Sequence, residues 1–463
     1  MSHLNQILLQ PSDVLFFRDG RPMSGSLAGH TAAWPLPDVT NHALHAALHR
    51  AGLDGVHQHV PGRASQQRDH SADNRKNNGR KFGSLITAGP FPVKGADQWF
   101  LPRPKDSQTG GTVAVTLRPV RSLGKDTNDD PWLNSSLPDC LDYAVANTAP
   151  PDKEAGGEPW ISTGAFAAYL KDEELALDPC KHFLRDDQIA DQEHQIGIGI
   201  DPETQSQDGR NFYSAHYLRL REGFRLGLFA EAMDKVADDP NQKRDLIKAL
   251  LNGHPEQIVI GGQQRVCSAS RTDVTGSLPL PLGLRAGSEF HALANGKFAV
   301  KWVLLTPAIW PEIGGEGLQS HSGGWLPNWI CPEAGVVLLK AGDISRGKRE
   351  GREMWRERVR DLPPVGGKLV AAIVPKPIVV TGWALPNDNG RSEGGAKSTH
   401  LAVPAGAVYY FEAATADSAQ ALAAALNWHG TTDGSEIKNR RSTLLGEKGY
   451  GLGVCGTWKF FGT

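Results

Sequence analysis

The sequence has 463 residues, of which 39% are hydrophobic and 22% charged, and its formal net charge is −2. This length allows two or three domains with a well-buried core, and the 52 glycines and 31 prolines favour short elements joined by loops. The near-neutral charge excludes a global basic field, so any site for a polyanion must be local.

The first predicted element is the apolar stretch at residues 14–17, which we expect to form the first strand of the fold. It runs directly into RDGRP, where Arg18 and Arg21 flank an Asp-Gly turn. Such a tip is either plain turn chemistry or a place where an anion docks, and the residues alone leave both readings open.

A helix is predicted next, over residues 40–51, with Asp38 or Thr40 as its cap and Gly52 as its end. Residues 57–83 have almost no apolar content. Six Arg or Lys residues against two Asp between positions 60 and 81 give this stretch a local charge of +4. This composition indicates a mobile basic loop or the tip of a hairpin. Residues 102–160 are rich in Pro, Gly, Asp and Asn and look like an insertion outside the core.

From residue 194 onwards the pattern is mainly that of strands. HQIGIGID alternates with period two, and NFYSAHYLRLREGFRLGLFAEA predicts two strands around residues 221–223. Further strands are predicted over 256–260, 298–306, 335–340, 368–374, 377–383 and 405–413, with a helix over 418–428 and a charged helix or loop over 343–360. Many strands, few helices and no βαβ repeat indicate an α+β fold with antiparallel sheets.

The C-terminal segment GYGLGVCGTWKFFGT contains the spacing G-x-G-x-x-G at Gly451, Gly453 and Gly456. A dinucleotide site is excluded, because too few residues follow for the helix and the ribose-binding acid that it requires. Two readings stay open. The backbone amides of this glycine run approach a phosphate or another chain, or the run is a turn between strands.

Histidines suggest two weaker sites. His42, His45 and His49 are spaced three and four apart, so one helix face could present three imidazoles to a metal. No cysteine or glutamate lies nearby in the sequence, so a solvated or half-buried face is favoured. His194 stands beside Glu193 and could be a general acid–base group, but a surface or packed histidine is favoured there as well.

Other sequence patterns limit the classes of protein to which the chain can belong. Five scattered cysteines without a C-x-x-C motif argue against a disulfide framework or a zinc ribbon and indicate a reducing cytosol; they are Cys140, Cys180, Cys267, Cys331 and Cys455. The first residues lack the basic flank and apolar core of a signal peptide, so we expect a cytoplasmic protein without a membrane span. Nucleophile-elbow, P-loop, H-E-x-x-H and Asp-rich nucleotidyl-transfer motifs are missing, which favours binding over catalysis.

Four segments, taken together and in this order, carry a resemblance to a known family. They are DVLFFRDGRPM, HQIGIGIDPET with FYSAHYLRL, IGGQQRV at 260–266, and KPIVVTGWALP…AKSTHLAVPAGAVYYFE. The chain closely resembles the third-subunit family of the type III-B CRISPR effector (Cmr) complex, in the RAMP superfamily group that caps the 5′ end of the guide RNA. Residues 57–160 carry none of the resemblance.

The resemblance implies a fold of two ferredoxin-like (RRM-like) RAMP domains with antiparallel sheets and long loop insertions. We expect an N-terminal domain over residues 1–190, with the basic and loop insertion at about 57–160. A C-terminal domain over residues 191–463 would end in the glycine-rich loop typical of RAMP proteins.

The resemblance also implies a non-catalytic, RNA-binding function without cofactor or metal. The chain would grip the 5′ tag of the CRISPR RNA, seat the large polymerase–cyclase subunit and start the filament of backbone RAMP subunits, meeting target RNA only indirectly and no membrane. The implied RNA-binding residues are Arg18, Arg21, His194, Gln263, Arg265, Lys397, His400, Gly449, Gly451 and Gly453. Phosphate contacts and stacked bases are the usual means.

Two alternatives stay open. One is a RAMP-type endoribonuclease that processes repeat RNA, with His42, His45 or His194 as the general acid–base group. The other is a scaffold that contacts only protein. Cleavage assays on repeat RNA and crosslinking to guide RNA would separate the three readings.

Overall fold

The computed structural model describes residues 4–17, 27–29, 34–53, 85–110, 113–124, 137–146, 158–173, 182–236, 239–314, 320–342, 351–384 and 395–462. The strands up to residue 273 are β1 (Asn5–Pro11), β2 (Leu27–Gly29), β3 (Ile86–Lys94), β4 (Gln98–Pro102), β5 (Ser107–Gly110), β6 (Val113–Thr116), β7 (Arg118–Gly124), β8 (Tyr143–Ala146), β9 (Trp160–Ser162), β10 (Phe183–Leu184), β11 (Ala190–Ile200), β12 (Gln207–Leu220), β13 (Phe224–Glu231), β14 (Met233–Val236), β15 (Asp239–Asp245), β16 (Glu256–Val259) and β17 (Val266–Asp273).

The later strands are β18 (His291–Ala292), β19 (Phe298–Leu304), β20 (Gly367–Ile373), β21 (Ile378–Val380), β22 (Trp383–Ala384), β23 (Gly395–Ala396), β24 (His400–Ala402), β25 (Val408–Ala413) and β26 (Gly453–Gly456). The helices are α1 (Pro37–Arg50), α2 (Thr163–Leu170), α3 (Asp186–Ile189), α4 (Leu246–Leu250), α5 (Arg352–Asp361) and α6 (Ala416–Leu426). No helix in these described ranges is both long and apolar enough to cross a membrane.

The first sheet has eight strands in the order β10-β9-β4-β3-β13-β1-β17-β16. Its centre is the run β3-β13-β1-β17, in which α1 follows β1 and α4 precedes β17 along the chain. Ile7 and Leu9 of β1 face the buried side of α1, which carries Leu44 and Leu48. The alternate residue Leu8 faces the opposite way, as the period of two in a strand requires.

The second sheet repeats the same arrangement of elements. Its order is β18-β19-β25-β20, and β26 also pairs with β19. Along the chain α5 lies between β19 and β20, and α6 lies between β25 and β26. The side chain of Thr415 caps α6 by accepting a hydrogen bond from the amide of Ser418. Leu422 and Leu426 of α6 pack into the core on the sheet.

A shared core joins the two sheets. Phe91 and Trp99 of the first sheet lie in one buried cluster with Val303 and Tyr410 of the second. Strands β13, β16 and β17 belong to the first sheet although they follow residue 190. Hydrogen-bonded strands therefore cross the expected boundary, and the division into domains stays a prediction.

The α+β fold with mostly antiparallel sheets is confirmed, although β2 pairs in parallel with β12. Most later elements lie where the sequence predicts them: β16, β19, β20, β21, β25 and α6 fall within three residues of their predicted limits. Helix α5 lies in the predicted charged helix or loop over 343–360 and ends one residue beyond it. Residues 335–340 form only single bridges, so the strand predicted there is wrong.

The opening strand is also a correction. The first strand is Asn5–Pro11, where β1 pairs with a strand on each side. Residues 14–17 instead make one bridge, between Leu15 and Leu218, and bury Leu15 and Phe17 in the core. An apolar run packs equally well as a buried irregular segment, and periodicity alone cannot separate it from a strand.

The predicted cap of the first helix is wrong as well. Helix α1 begins at Pro37, whose fixed φ suits the first helical position, and Leu36 before it makes no side-chain cap bond. The hydroxyl of Thr40 donates to the carbonyl oxygen of Pro37, 3.0 Å away, inside the first turn. Gly52 follows the helix with a φ of 63°, as expected for its end.

Residues 102–160 are not wholly outside the core. Asp106 is fully buried, and Cys140 and Leu141 belong to the core of the second sheet. The amide of Asp142 donates to the carbonyl oxygen of Val370 in β20, 2.8 Å away. A few short apolar stretches are therefore enough to pack this polar segment against the core. The basic loop predicted at 57–83 lies outside the described residues.

Candidate nucleic-acid interface

The loop at 261–265, between β16 and β17, packs against the opening segment. A Cβ at Gly261, whose φ is 70°, would come within 2.5 Å of the carbonyl oxygen of Phe16. The amide of Gly262 donates to that same oxygen, 2.9 Å away. Only glycine allows this approach, so the GG in IGGQQRV fixes the loop on Phe16.

Two successive glutamines in this loop adopt the left-handed conformation, with φ of 55° at Gln263 and 53° at Gln264. This conformation is costly for residues with a side chain and is often found at functional sites. Tyr217 of β12 donates its hydroxyl hydrogen to Oε1 of Gln263, 2.6 Å away. The tyrosine thereby helps to hold the loop in this conformation.

Arg265 is oriented by the same tyrosine. Its guanidinium carbon lies 4.8 Å from the centre of the Tyr217 ring, and its Nη2 donates to Oε1 of Gln263 at 3.3 Å. Nη1 lies 3.9 Å from a carboxylate oxygen of Asp13, and 26% of the side chain is exposed. The guanidinium is thus held in place while part of it faces solvent, as a phosphate contact requires.

The charge around Arg265 is balanced among the described residues. Asp13 also pairs with Arg219, at 2.9 Å, and Arg219 pairs in turn with Glu193. Two cations thus face two carboxylates. A net positive field here would depend on Arg18 and Arg21, which lie outside the described residues, just beyond Phe17.

His194 lies on the other face of the hairpin formed by β11 and β12. It is directly opposite His216, and the two rings stack with centroids 4.5 Å apart. Since neighbouring residues of a strand alternate between faces, His194 points away from the side that carries Glu193 and Tyr217. Its own face continues into three exposed isoleucines, Ile196, Ile198 and Ile200.

The glycine run is buried. A Cβ at Gly451 would lie 2.0 Å from the amide nitrogen of Ser442, and one at Gly453 would lie 2.2 Å from Nε1 of Trp302. The amide of Gly449 donates to Gly446 and that of Gly451 to Pro307. These glycines permit close packing within the chain, and the amides of Gly449 and Gly451 already donate hydrogen bonds to carbonyl oxygens of the chain itself. Their contact with RNA stays a prediction.

The run also joins the second half of the chain to α1. Nζ of the buried Lys448 lies 3.0 Å from Nε2 of His42, and Tyr450 donates its hydroxyl hydrogen to Asp38 at 2.7 Å. The rings of His45 and His49 pack edge to face at 4.5 Å. Within the described part of the chain, no three His, Cys, Asp or Glu side chains come together as a metal site.

The basic residues before the run point inward. Arg441 donates through Nε to the carbonyl oxygen of Ala425 at the end of α6, 2.7 Å away. Burial lowers the pKa of Arg441 to about 10 and that of Arg440 to about 10. A cation near a helix C-terminus stabilises the helix dipole, so Arg441 contributes to the stability of the fold.

Lys397 and His400 lie on a separate ribbon, in which β21 pairs with β24 and β22 pairs with β23. The amide of Lys397 donates to the carbonyl oxygen of Gly382 at 2.8 Å. His400 is the register partner of Val380. Both side chains are half-buried, and their contact with RNA stays a prediction.

The structure therefore brings together Gln263 and Arg265 and leaves the other described candidates on different elements, while Arg18 and Arg21 lie outside the described residues. Sequence reasoning missed Tyr217 and Asp13, which orient them. A signal was present for Tyr217, since it lies within the segment FYSAHYLRL. Nothing in the sequence relates it to a loop 46 residues later.

The comparison with protein families agrees with the sequence resemblance. The model of the family described as CRISPR-associated protein (Cas_Cmr3) matches residues 7–458. No curated protein matches the chain. Among solved structures, the chain is similar to one in a cryo-electron microscopy structure of the Type III-B Cmr-beta complex bound to cognate target RNA and AMPPnP. The identity is 13% over 88% of this chain and 86% of that one, with a TM-score of 0.39.

A second similar chain is found in a crystal structure of the Csm3–Csm4 subcomplex of the type III-A CRISPR-Cas interference complex, at 9% identity over 88% of this chain and 92% of that one, with a TM-score of 0.29. These structural similarities are too low to carry an argument by themselves. The family model covers nearly the whole chain, and on that match the chain belongs to the CRISPR-associated Cas_Cmr3 family.

Proposed function

We propose that the chain is a non-catalytic RNA-binding subunit of a type III-B CRISPR effector in the cytoplasm. It holds the 5′ tag of the CRISPR RNA and joins the large polymerase–cyclase subunit to the filament of backbone RAMP subunits. Target RNA is met indirectly, through the paired guide. The observation that carries the proposal is the family match over residues 7–458.

The strand orders support two ferredoxin-like domains. A ferredoxin-like unit runs strand-helix-strand-strand-helix-strand. In the first sheet β1, α1, β3, β13, α4 and β17 follow this sequence, with β13 and β1 at the centre. In the second sheet β19, α5, β20, β25, α6 and β26 do the same, with β25 and β19 at the centre. Under this reading the first unit extends to residue 273.

The cluster at loop 261–265 supports the RNA-binding part of the proposal. Arg265 offers a partly exposed guanidinium, and the ring of the buried Tyr217 holds it in orientation. Phosphate contacts from arginine are a usual means of holding single-stranded RNA. Arg18 and Arg21 follow the segment that packs on this loop and would supply the net positive charge.

The test is binding of a CRISPR RNA with its 5′ tag, measured at several salt concentrations on the purified chain. A double variant, Arg18→Ala with Arg21→Ala, is expected to weaken binding and to lower the salt slope by roughly 0.7 per lost phosphate contact. Arg360→Ala is the matched control, because Arg360 is 73% exposed on α5. Its affinity is expected to change only slightly.

Two results would overturn the proposal. Equal affinity for tagged RNA and for an RNA with a scrambled tag would remove tag recognition. Failure of the chain to crosslink to guide RNA in a reconstituted complex would instead favour the scaffold that contacts only protein.

A further inference from the structure

A small cavity lies at the base of the hairpin formed by β11 and β12, beside β9 of the first sheet. Its volume is about 250 Å³, and its walls include Trp34, Trp160, Gln192 and Leu218. Gln192 and Leu218 are register partners on the face of the hairpin that also carries His194. The cavity is therefore separate from Tyr217 and Arg265, which lie on the opposite face.

Two tryptophans form the aromatic wall, and both indole N–H groups are fixed. Trp34 donates to the carbonyl oxygen of Pro90 at 2.9 Å, and Trp160 donates to Oδ1 of Asp186 at 2.8 Å. Their ring centroids are 5.2 Å apart, and the planes meet at 64°. Rings held in this way present fixed π surfaces to whatever enters.

Three aspartates, Asp186, Asp187 and Asp191, also line the cavity. Asp187 pairs with Arg185 at 3.0 Å and Asp191 with Arg221 at 2.7 Å, and both arginines are about half exposed. Asp186 accepts the hydrogen bond from Trp160, and among the described residues it makes no ion pair within 4.0 Å. The charge of Asp186 favours the protonated form of Lys105 without a direct contact between the two groups. One carboxylate thus lies beside two indole rings without a direct cationic partner.

We propose that this cavity takes a single arginine side chain from a partner protein. A guanidinium stacks on aromatic rings and pairs with a carboxylate at the same time. The volume lies below the roughly 300–1,000 Å³ of pockets that hold whole small molecules, which suits one side chain. The carboxylate of Asp186 would repel the phosphate of a nucleotide. The inference depends on the proposed function only for placing the partner in the effector complex.

The test uses a small probe, so that it needs neither RNA nor partner. The chain, labelled with ¹⁵N at its tryptophan indoles, is titrated with N-acetyl-arginine methylamide. The N–H signal of Trp34, identified by its loss in Trp34→Phe, is expected to shift and saturate. N-acetyl-citrulline methylamide, which is neutral and of similar shape, is expected to leave the signal unchanged.

Asp186→Asn keeps an oxygen acceptor for Trp160 and removes the charge, so it is expected to weaken the probe about fivefold or more. Asp361→Asn, on the 74% exposed Asp361 of α5, is the matched control and is expected to bind as the parent does. A melting curve shared by parent and variants shows that each is folded.

Three outcomes overturn the inference: no saturable shift with the arginine probe, an equal shift with the citrulline probe, or a stronger shift with adenosine monophosphate, which would make the cavity a nucleotide site. Guide-RNA binding by Asp186→Asn is measured in parallel and is expected to match the parent. If the parent chain binds guide RNA but shows no saturable shift with the arginine probe, this inference is refuted and the proposed function still stands.

Discussion

The hydroxyl of Tyr217 donates a hydrogen bond to Oε1 of Gln263, with 2.6 Å between the two oxygens. The bond links the base of the hairpin formed by β11 and β12 to a loop whose backbone is left-handed at Gln263 and Gln264. Arg265 lies over the ring of the same tyrosine. One side chain thus positions both residues of the candidate interface that the structure brings together.

Tyr217→Phe is expected to lower the affinity for guide RNA roughly 3- to 10-fold, because the lost hydrogen bond contributes about 1 kcal/mol to holding the loop. The free energy of unfolding is expected to fall by a similar amount. Tyr409→Phe removes a hydroxyl that donates to Trp325 at 2.6 Å in the second sheet. That control is expected to lose stability and keep its RNA affinity. Equal RNA binding by parent and Tyr217→Phe would contradict the assignment.

Arg265→Lys and Arg265→Ala are expected to differ in salt dependence. The lysine keeps the charge but loses the stacked, forked guanidinium, so affinity falls while the salt slope is retained. The alanine is expected to lower the slope by roughly 0.7, the value for one lost contact to single-stranded RNA. Binding curves at four salt concentrations distinguish the two. Identical slopes for parent and alanine variant would mean that Arg265 makes no phosphate contact.

Asp106→Asn is expected to destabilise the fold by about 3–5 kcal/mol, because it leaves the buried ammonium of Lys301 without the carboxylate that compensates its charge. Asp106 is fully buried, accepts hydrogen bonds from Tyr169 and Tyr410 at 2.7 and 2.9 Å, and acts on the buried ammonium of Lys301. Burial raises the pKa of Asp106 and lowers that of Lys301.

The double variant Asp106→Asn with Lys301→Met removes the stranded ammonium and is expected to be more stable than Asp106→Asn alone. Urea unfolding of the four proteins of this cycle measures the coupling free energy. Purely additive losses would show that the two groups are energetically independent.

His429→Asn is expected to flatten the pH dependence of stability below pH 6.5. Burial, followed by the charge of Arg285, lowers the pKa of His429, so the unfolded chain takes up a proton that the folded chain does not. Stability therefore falls as the pH drops below about 6.5. Asparagine keeps a donor toward the carbonyl oxygen of Thr432, which lies 3.1 Å from Nδ1. Melting temperatures from pH 7.5 to 5.5 measure the difference, and parallel curves would contradict it.

The purified chain is expected to cut neither repeat RNA nor target RNA, with or without divalent metal. His194 stacks on His216, and His42 contacts Lys448. Gel assays of the parent beside His42→Ala and His194→Ala check the expectation. Cleavage that disappears in either variant would favour the endoribonuclease, whereas cleavage that all three proteins share would point to a contaminant.

The sequence predicts elements well where the local pattern is strong. The apolar run FAVKWVL and the small residues of ADSAQALAAAL predict β19 and α6 close to their limits. It fails where the outcome depends on distant partners. β1 is a central strand because β13 and β17 arrive on either side of it, and nothing within Asn5–Pro11 carries that information.

The candidate site likewise has parts that the local sequence predicts and parts that depend on distant residues. The segment IGGQQRV is identified from the sequence, but its fixation by Phe16 and Tyr217 depends on contacts over long sequence separations. A glycine run that binds a phosphate and one that permits close packing can have the same sequence. Its burial against Ser442 and Trp302 is a tertiary outcome that spacing cannot predict.

The central position of β1 has a consequence for synthesis on the ribosome. Asn5 and its sheet partner Ala230 are 225 residues apart in the chain. At about 5–20 residues per second, β1 waits roughly 10–45 s before that partner exists. Throughout this interval Ile7, Leu8 and Leu9, buried in the finished protein, belong to a strand with two open edges. We therefore expect shielding of β1 during synthesis, by a chaperone or by the emerging chain itself, to raise the yield of soluble protein.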